Sequence, residues 1–485
     1  MDKVNEFETA EYKYTSNVHQ RFSPEANIHY ECSSVDDLLK DLSKLSEMIA
    51  HHREHQYPRL KVLCDYYEGN NATILRGKRR REEHLADNRA THAFAEYVSG
   101  FIQGYLVGIP LKTTHNDDVI NDKLMEINRN NDADEHNSEL VLDQSIYGRA
   151  YELVYRNKRD EVRFTTLSVT ETFVIYDETV EREPIAAVRY FEKKFTDKTL
   201  VFVYTDSKVI EYELGNDDSL KFIKEQEHSF KGVPVVEYTN NNRRMGDFER
   251  VLSLIDLYDE SQSDTANYMT DLNDAMLKIV GNLEIDVKQA KEMKEHNILM
   301  LQTEPNSEGR SNQADADYIY KKYDVAGTEA YKTRVADNIH MFTHTPNMTD
   351  EKFGGNQSGE SMKYKLFGLE QKRATKERLF KKSLRDRYRL INNILSVASE
   401  GSFDVNEITI TFTPNLPKSI KDEIEAFVKL GGDLSDETKL SILSIVDNPQ
   451  EELEKMEKEN PRTNLHDYVF PNTEVIEKEV IEDEE

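Results

Sequence analysis

The chain has 485 residues, 32% of them charged, and a formal charge of -29, with a mean hydropathy of -0.74; that length exceeds one core and implies roughly two to four domains or subdomains. No apolar run reaches the roughly 20 residues a bilayer crossing needs, and the acidic balance argues against a generic nucleic-acid binder, which carries a basic excess. DNA contact of another kind stays compatible with this balance, because a conduit along which DNA slides benefits from an acidic or neutral wall.

The N-terminal MDKVNEFETAEYKYTSN is polar and lacks the apolar segment of a signal peptide, so synthesis and assembly in a cytoplasm are expected. Cys32 and Cys64 are the two cysteines. Neither sits in a CxxC spacing, so no disulfide or thiolate metal framework is expected. Ser33-Ser34-Val35-Asp36-Asp37 reads as a capped helix start, followed by Leu38, Leu39, Leu42, Leu45 and Ile49 on one face. A second helical run, Arg53 to Tyr67, ends at Gly69-Asn70-Asn71. The basic patch Arg76 to Arg81 reads as a solvated loop balanced by Glu82 and Glu83.

Asn88 to Leu111, NRATHAFAEYVSGFIQGYLVGIPL, has Phe94, Tyr97, Val98, Phe101 and Ile102 at helical spacing and reads as a buried core helix stopped by Gly108-Ile109-Pro110. A further helix is expected near Asp132 to Ser145. The pattern then changes to short β-branched and aromatic runs: Tyr151 to Tyr155, Arg163 to Leu167, Thr172 to Tyr176, Ala186 to Phe191, Thr199 to Tyr204 and Lys208 to Leu214. These predict an antiparallel β subdomain, closed by Val233 to Tyr238.

Gly246-Asp247 opens a long helical pattern through Val251, Leu254, Ile255, Tyr258, Leu272, Met276 and Ile279. A helix from Asp247 to Val280 would span about 50 Å, a strut rather than an ordinary globular helix. Residues 281–324 read as a small α/β insertion, with a helix around Val287 to Glu295 and a hairpin of Ile298 to Leu301 with Tyr318 to Tyr320. Helix resumes from Gly327 to about His344. The stretch HTPNMTDEKFGGNQSGESMKYK, His344 to Lys365, then joins two helices through paired glycines and reads as a mobile or sharply turned loop that reaches into something. Met362 to Ala398 is helical and strongly basic, through Lys363, Lys365, Lys372, Arg373, Lys376, Arg378, Lys381, Lys382, Arg385, Arg387 and Arg389. Most of these charges are expected to meet carboxylates of this chain or an adjacent subunit; Lys363 and Lys365, beside the loop, are expected to face DNA. Val405 to Phe412 is one strand whose partners must lie far earlier. Ser419 to Glu459 gives helices, and the acidic end is expected to be disordered.

Catalytic and cofactor motifs were weighed against this background. No G-x-x-x-x-G-K-[ST] phosphate loop is present, so the chain is not expected to be a motor. His51-His52-Arg53-Glu54-His55 matches H-x-x-E-H formally, yet no third zinc ligand is definable and an amphipathic helix face accounts for it. Asp132 and Asp134 lack the glycine and terminal Glu of a calcium loop and read as helix-start acids. No nucleophile elbow or Cys/His arrangement appears. No catalytic residue, metal or cofactor is expected.

The order of elements resembles the portal proteins of tailed double-stranded DNA bacteriophages, of the type found in long-tailed phages of Gram-positive hosts. The resemblance runs from about Tyr57 to Leu416. It rests on NRATHAFAEYVSGFIQGYLVGIPL, then SIYGRAYELVYRN with FVIYDETVEREPIAAVRYF, then GVPVVEYTNNNRRMGDFERVLSLIDLYDESQSDTANYMTDLNDAMLKIVG, then NQSGESMKYKLFGLEQKRATKERLFKKSLRDR. It implies a mixed α+β, predominantly helical portal fold assembling as a ring, commonly dodecameric, with a central channel. The implied parts are an N-terminal arm and helix (1–49), a wing (50–246) completed by a strand (405–418), stem helices (247–280 and 325–344), a clip (281–324), a tunnel loop (345–362), a long basic helix (363–404) and a crown with an acidic tail (419–485).

The resemblance places Thr349, Lys352, Phe353, Gly354, Gly355, Asn356, Gln357, Ser358, Lys363 and Lys365 on the DNA channel. It places Glu304, Asn306, Glu308, Arg310 and Asn312 on a clip facing the terminase large subunit and the head-tail adaptor. Major capsid and scaffold proteins would meet the wing, no membrane is implied, and the location would be the portal vertex of the virion. The alternatives are a nucleic-acid-processing enzyme, motivated by the basic helix and H-x-x-E-H, and a scaffold or tail component forming filaments or open shells.

Overall fold

The computed structural model describes residues 21–76, 86–271, 276–280, 286, 288–289, 291–292, 315–319, 324–348 and 365–415, with 424, 427–429, 435–440, 446, 452–453 and 455–456 near the C-terminus. It is a mixed α and β fold with more residues in helix than in strand. The chain divides into two compact units, one of Met1–Asp350 with Leu366–Pro414 and one of Glu351–Lys365 with Asn415–Glu485.

In the first unit, Ser34 caps helix α1 (Val35–Lys40) by accepting from the Asp37 amide, and Asp41 restarts the chain into α2 (Leu42–His51). The sequence reading of one continuous face therefore holds for the buried residues Leu38, Leu45 and Ile49, although the helix breaks between them. His52–Gln56 is a π-helical turn leading into α3 (Tyr57–Tyr67), which ends before Gly69 at φ 76°. A short α4 (Ala72–Leu75) precedes the expected core helix, α5 (Phe94–Val107), whose Ala95, Val98, Ile102, Tyr105 and Leu106 are buried. Helix α6 (Asp118–Asn130) has no counterpart in the sequence reading. Its cap is Asp117, which accepts from the Val119 and Ile120 amides. Helix α7 (Ala133–Tyr147) ends at Gly148, φ 83°, where a Cβ would lie 2.1 Å from the Arg244 carbonyl oxygen.

The β subdomain is two sheets, not one. Strands β1 (Tyr30–Glu31), β5 (Thr172–Tyr176), β6 (Pro184–Glu192), β7 (Thr199–Tyr204), β8 (Lys208–Leu214) and β9 (Leu220–Glu227) form a six-stranded sheet in that order. Within it β1 pairs parallel to β5 while the other pairs are antiparallel. A second sheet runs β10 (Val235–Thr239), β3 (Arg149–Arg156), β4 (Val162–Leu167). Alternation along β5 links the layers. Phe173 and Ile175 join the core under α1 and α2, whereas Val174 joins Tyr151, Leu167 and Val235 of the second sheet. The late strand β13 (Thr409–Thr411) pairs antiparallel with β2 (Lys112–Thr114), the far-earlier pairing its isolation required.

The expected strut needs correction. The chain enters it through a 3-10 turn, Glu249–Val251, and helix α8 covers Leu252–Asp271, 20 residues or about 30 Å. Met276–Val280 is strand β11, antiparallel to β12 (Asp315–Ile319). Leu272, Met276 and Ile279 fit a helical period, but a short aliphatic run fits a strand equally, and pairing with a distant segment decided between them. The described partner of Tyr318-Ile319 is thus β11; Ile298 to Leu301 lies outside the described residues. Residues 288–289 and 291–292 are helical, as expected for Val287 to Glu295. Helix α9 (Val325–Thr343) is capped by Asp324 and stopped by His344 at φ 60°. Helix α10 (Phe367–Val397) has 31 residues and packs Phe380, Leu384, Tyr388, Ile391 and Ile394 into the core that α5, α6, α7, β3 and β4 share. In the second unit, α11 (Asp436–Leu440) buries Leu440, and its Lys439 pairs with Asp436 at 3.0 Å.

Candidate functional site

The features that bear on function gather where α9 ends, α10 begins and the chain turns from β10 toward α8. Gly246 brings the backbone there: a Cβ at this position would lie 2.4 Å from the Ile146 carbonyl oxygen, so no larger side chain fits. The close approach lets the Asp247 amide donate to the Ser145 carbonyl at 2.8 Å. The Asp247 carboxylate then accepts from Ser145 Oγ at 2.7 Å and Asn240 Nδ2 at 3.2 Å. Lys376 Nζ at 2.6 Å and Lys372 Nζ at 2.9 Å reach it from α10. Burial alone would raise this carboxyl, but the two lysines outweigh it and hold it well below the usual range.

A second buried ionic centre lies further along α10. Arg387 places Nε 3.0 Å and Nη2 2.7 Å from the Glu152 carboxylate of β3, and Nη2 also donates to Asn137 Oδ1 at 2.9 Å. His136 Nε2 at 2.6 Å and the Tyr238 hydroxyl at 2.8 Å complete the shell around Glu152. Both charged side chains are 0% exposed. Burial pushes the Glu152 carboxyl up, yet Arg387 and His136 overcome it and leave it at about 2. The guanidinium also lies 4.4 Å from the Phe164 ring centroid, so α10 is fastened to β3 and β4 through charge and packing together.

The chain on either side of residues 349–364 is fixed on this scaffold. The Tyr97 hydroxyl of α5 donates to the Pro346 carbonyl at 2.7 Å and accepts from the Met348 amide at 3.4 Å. Lys372 Nζ donates to the Thr343 carbonyl at 3.2 Å. A Cβ on Gly368 would lie 2.9 Å from His344 Nδ1. The end of α9 and the start of α10 therefore touch, and the chain leaves one and re-enters the other at a common base.

Thr349, Lys352, Phe353, Gly354, Gly355, Asn356, Gln357, Ser358 and Lys363 lie outside the described residues, as do Glu304, Asn306, Glu308, Arg310 and Asn312. Lys365 is described and exposed. Along the basic helix, Lys372, Arg373, Lys376, Lys381, Arg387 and Arg389 all meet carboxylates of this chain. Sequence reasoning did not single out Asp247, Glu152 or Tyr97 as anchors. The one legible signal was the Gly246-Asp247 step, a small residue followed by a cap-type acid.

Among the described residues no group of three or more His, Cys, Asp or Glu side chains could hold a metal ion. His51 and His55 do lie side by side, with ring centroids 4.6 Å apart and the rings tilted at 45°. Their environment is organic: Tyr30 Oη lies 2.9 Å from His51 Nδ1 and Glu25 lies 3.3 Å from Nε2. Among the described residues no helix is long and apolar enough to cross a membrane.

A family model described as "Phage portal protein, SPP1 Gp6-like" matches residues 46–464. The portal protein of Bacillus phage SPP1 is 23% identical over 406 residues, covering 79% of this chain and 78% of that protein. The portal protein of Clostridium phage phiCD119 is 24% identical over 422 residues, covering 81% of this chain and 90% of that protein.

Proposed function

The chain belongs to the SPP1 Gp6-like family of phage portal proteins, and on that premise we propose that its copies close into a ring, dodecameric by family resemblance, around a channel for double-stranded DNA at one capsid vertex. As a portal it is a structural component of the virion. In this reading residues 50–246 with 405–418 form the wing, α8 and α9 the stem, 281–324 the clip and 345–362 the tunnel loop.

The observation that supports the channel role best is the clamped base of the loop. Tyr97 holds Pro346, and Lys372 on Thr343 with the His344–Gly368 contact brings the end of α9 and the start of α10 together, so the chain leaves this frame and returns to it at one place. In a ring such tips converge on the axis. Asn356, Gln357 and Ser358 offer amide and hydroxyl groups that make weak, exchangeable phosphate contacts, which carry no sequence information and suit sliding. The clip, through Glu304, Asn306, Glu308, Arg310 and Asn312, would meet the terminase large subunit during packaging and the head-tail adaptor afterwards; capsid and scaffold proteins would meet the wing.

Deleting Phe353 to Ser358 tests this directly. Rings are expected to form, by negative-stain imaging and mass measurement, while packaged DNA per particle falls. Loss of the ring would make the loop an interface, and unchanged packaging would remove it from the channel.

A further inference from the structure

The basic helix is two-sided, and its second side meets few carboxylates among the described residues. Gln371, Thr375, Arg378, Lys382, Arg385 and Arg389 recur at steps of three and four and are all exposed, so they share one face of α10. Arg389 pairs with Asp386 at 2.7 Å. Arg378 donates only to the Ala374 carbonyl and Thr375 Oγ1 of its own helix. Neither Lys382 nor Arg385 lies within ion-pair distance of a carboxylate among the described residues. From Arg378 to Arg389 the stripe covers about 17 Å.

Elsewhere the chain carries the opposite imbalance. Glu96 of α5 and Asp143 of α7 face Tyr67 at the end of α3, and Glu139 lies one turn before Asp143 on α7; Glu96 and Glu139 are exposed. Burial, then Glu96 and Asp143, push the Tyr67 hydroxyl up. Burial, then Glu139, raise the Asp143 carboxyl to about 7. Among the described residues none of the three forms an ion pair. Glu139 and Asp143 repel one another in the isolated chain, so an external cation at this place relieves a cost already present.

We propose that the outward face of α10, through Arg378, Lys382 and Arg385, docks on the Glu96, Glu139 and Asp143 surface of a second copy of this chain. Two things favour that occupant. The chain is acidic at -29, and its own unpaired carboxylates complement the stripe. The exposed face also runs into apolar surface: Phe367 at its start is 61% exposed, and Met341 and Phe342 in the last turn of α9 are each 57% exposed. A protein surface can bury such side chains, whereas a phosphate backbone cannot. Because the two patches differ, the contact is head-to-tail, the kind that closes into a ring when the rotation allows. The inference rests on the ring reading and assigns one of its interfaces.

The test is a charge swap in the full chain. K382E/R385E and E96K/E139K alter exposed positions, so each variant should keep the wild-type circular dichroism spectrum, and neither should melt below wild type, E96K/E139K melting higher if anything because it places cations beside Asp143. Each pair alone should weaken self-association at least ~10-fold by light scattering, and the four substitutions together should restore it. Failure of the combined variant to recover, while each pair disrupts, would overturn this pairing. Unchanged ring mass in K382E/R385E, with loss of duplex DNA binding by fluorescence anisotropy, would assign the stripe to DNA instead. If the wild-type chain forms no ring at all, the portal-ring reading fails first, before either patch is tested.

Discussion

Helix α10 carries the same residue types on two faces that meet opposite fates. On the inward face Arg387 and Lys376 are sealed from water and answered by Glu152 and Asp247 at 2.6 to 3.0 Å. On the outward face Lys382 and Arg385 stand in solvent without such partners among the described residues. A run of cations in a sequence therefore does not name a function; the position of each residue around the helix axis decides whether it fastens a fold or offers a surface. The inward pairs also show why burial is not weakness here: Glu152 accepts from Arg387, His136 and Tyr238, and Asp247 accepts from Lys376, Ser145 and Asn240, so each buried carboxylate is met by several donors, the condition under which a buried ion pair holds.

The contrast can be broken at its strongest point by Arg387→Ala. Glu152 would remain buried with its main counter-charge gone, and a loss of about 3–5 kcal/mol in unfolding free energy is expected from denaturant titration. A loss under about 1 kcal/mol would mean that water or His136 substitutes easily, and the distinction between faces would shrink. A smaller effect separates Glu152 from Asp143, an acid with no cation beside it. The Asp143 carboxyl is raised to about 7 in the fold, above an unfolded value of about 3.9. The folded state therefore holds its proton longer, and stability is lost as pH rises from about 4 to about 7. Asp143→Asn should stabilise the unassembled chain by about 1 kcal/mol or more at pH 8 and by almost nothing at pH 4, in thermal melts at the two pH values. An equal gain at both would point to packing rather than charge. Least of all is expected from Arg385→Ala, whose unfolding free energy should stay within about 0.5 kcal/mol of wild type, since among the described residues no carboxylate pairs with it.

How far such fates can be read from sequence depends on where the partner lies. Strands β3 to β8 were legible because β-branched and aromatic residues alternate within each run. The α5 core face was legible because its apolar residues recur every three or four positions. Strand β9 was not, since seven of its eight residues are exposed and polar ones dominate, leaving no apolar alternation to read. Helix α6 shows the opposite failing: Asp117 caps it and Leu124 and Ile127 are buried, a signal that was present and passed over. Met276–Val280 misled because its aliphatic residues satisfy both periods. The anchors of the site were hidden for a different reason, namely distance: Arg387 and Glu152 are separated by 235 positions, and no local pattern joins them. Only the expectation that most cations of the basic helix would find carboxylates could be made in advance.

The pairing of β13 with β2 sets a schedule for making the protein. Strand β2 leaves the ribosome early, but Thr409–Thr411 follows only after the insertion, the loop and all of α10 have been synthesised. At bacterial elongation rates of roughly 5–20 residues per second, the β2 edge waits on the order of tens of seconds for its partner. During that interval the core around Phe380 and Phe412 also lacks both residues, leaving apolar surface open while other copies are being made nearby. A nascent chain cannot close the β2–β13 pair before nearly everything else has been translated, which delays the complete fold until late in synthesis.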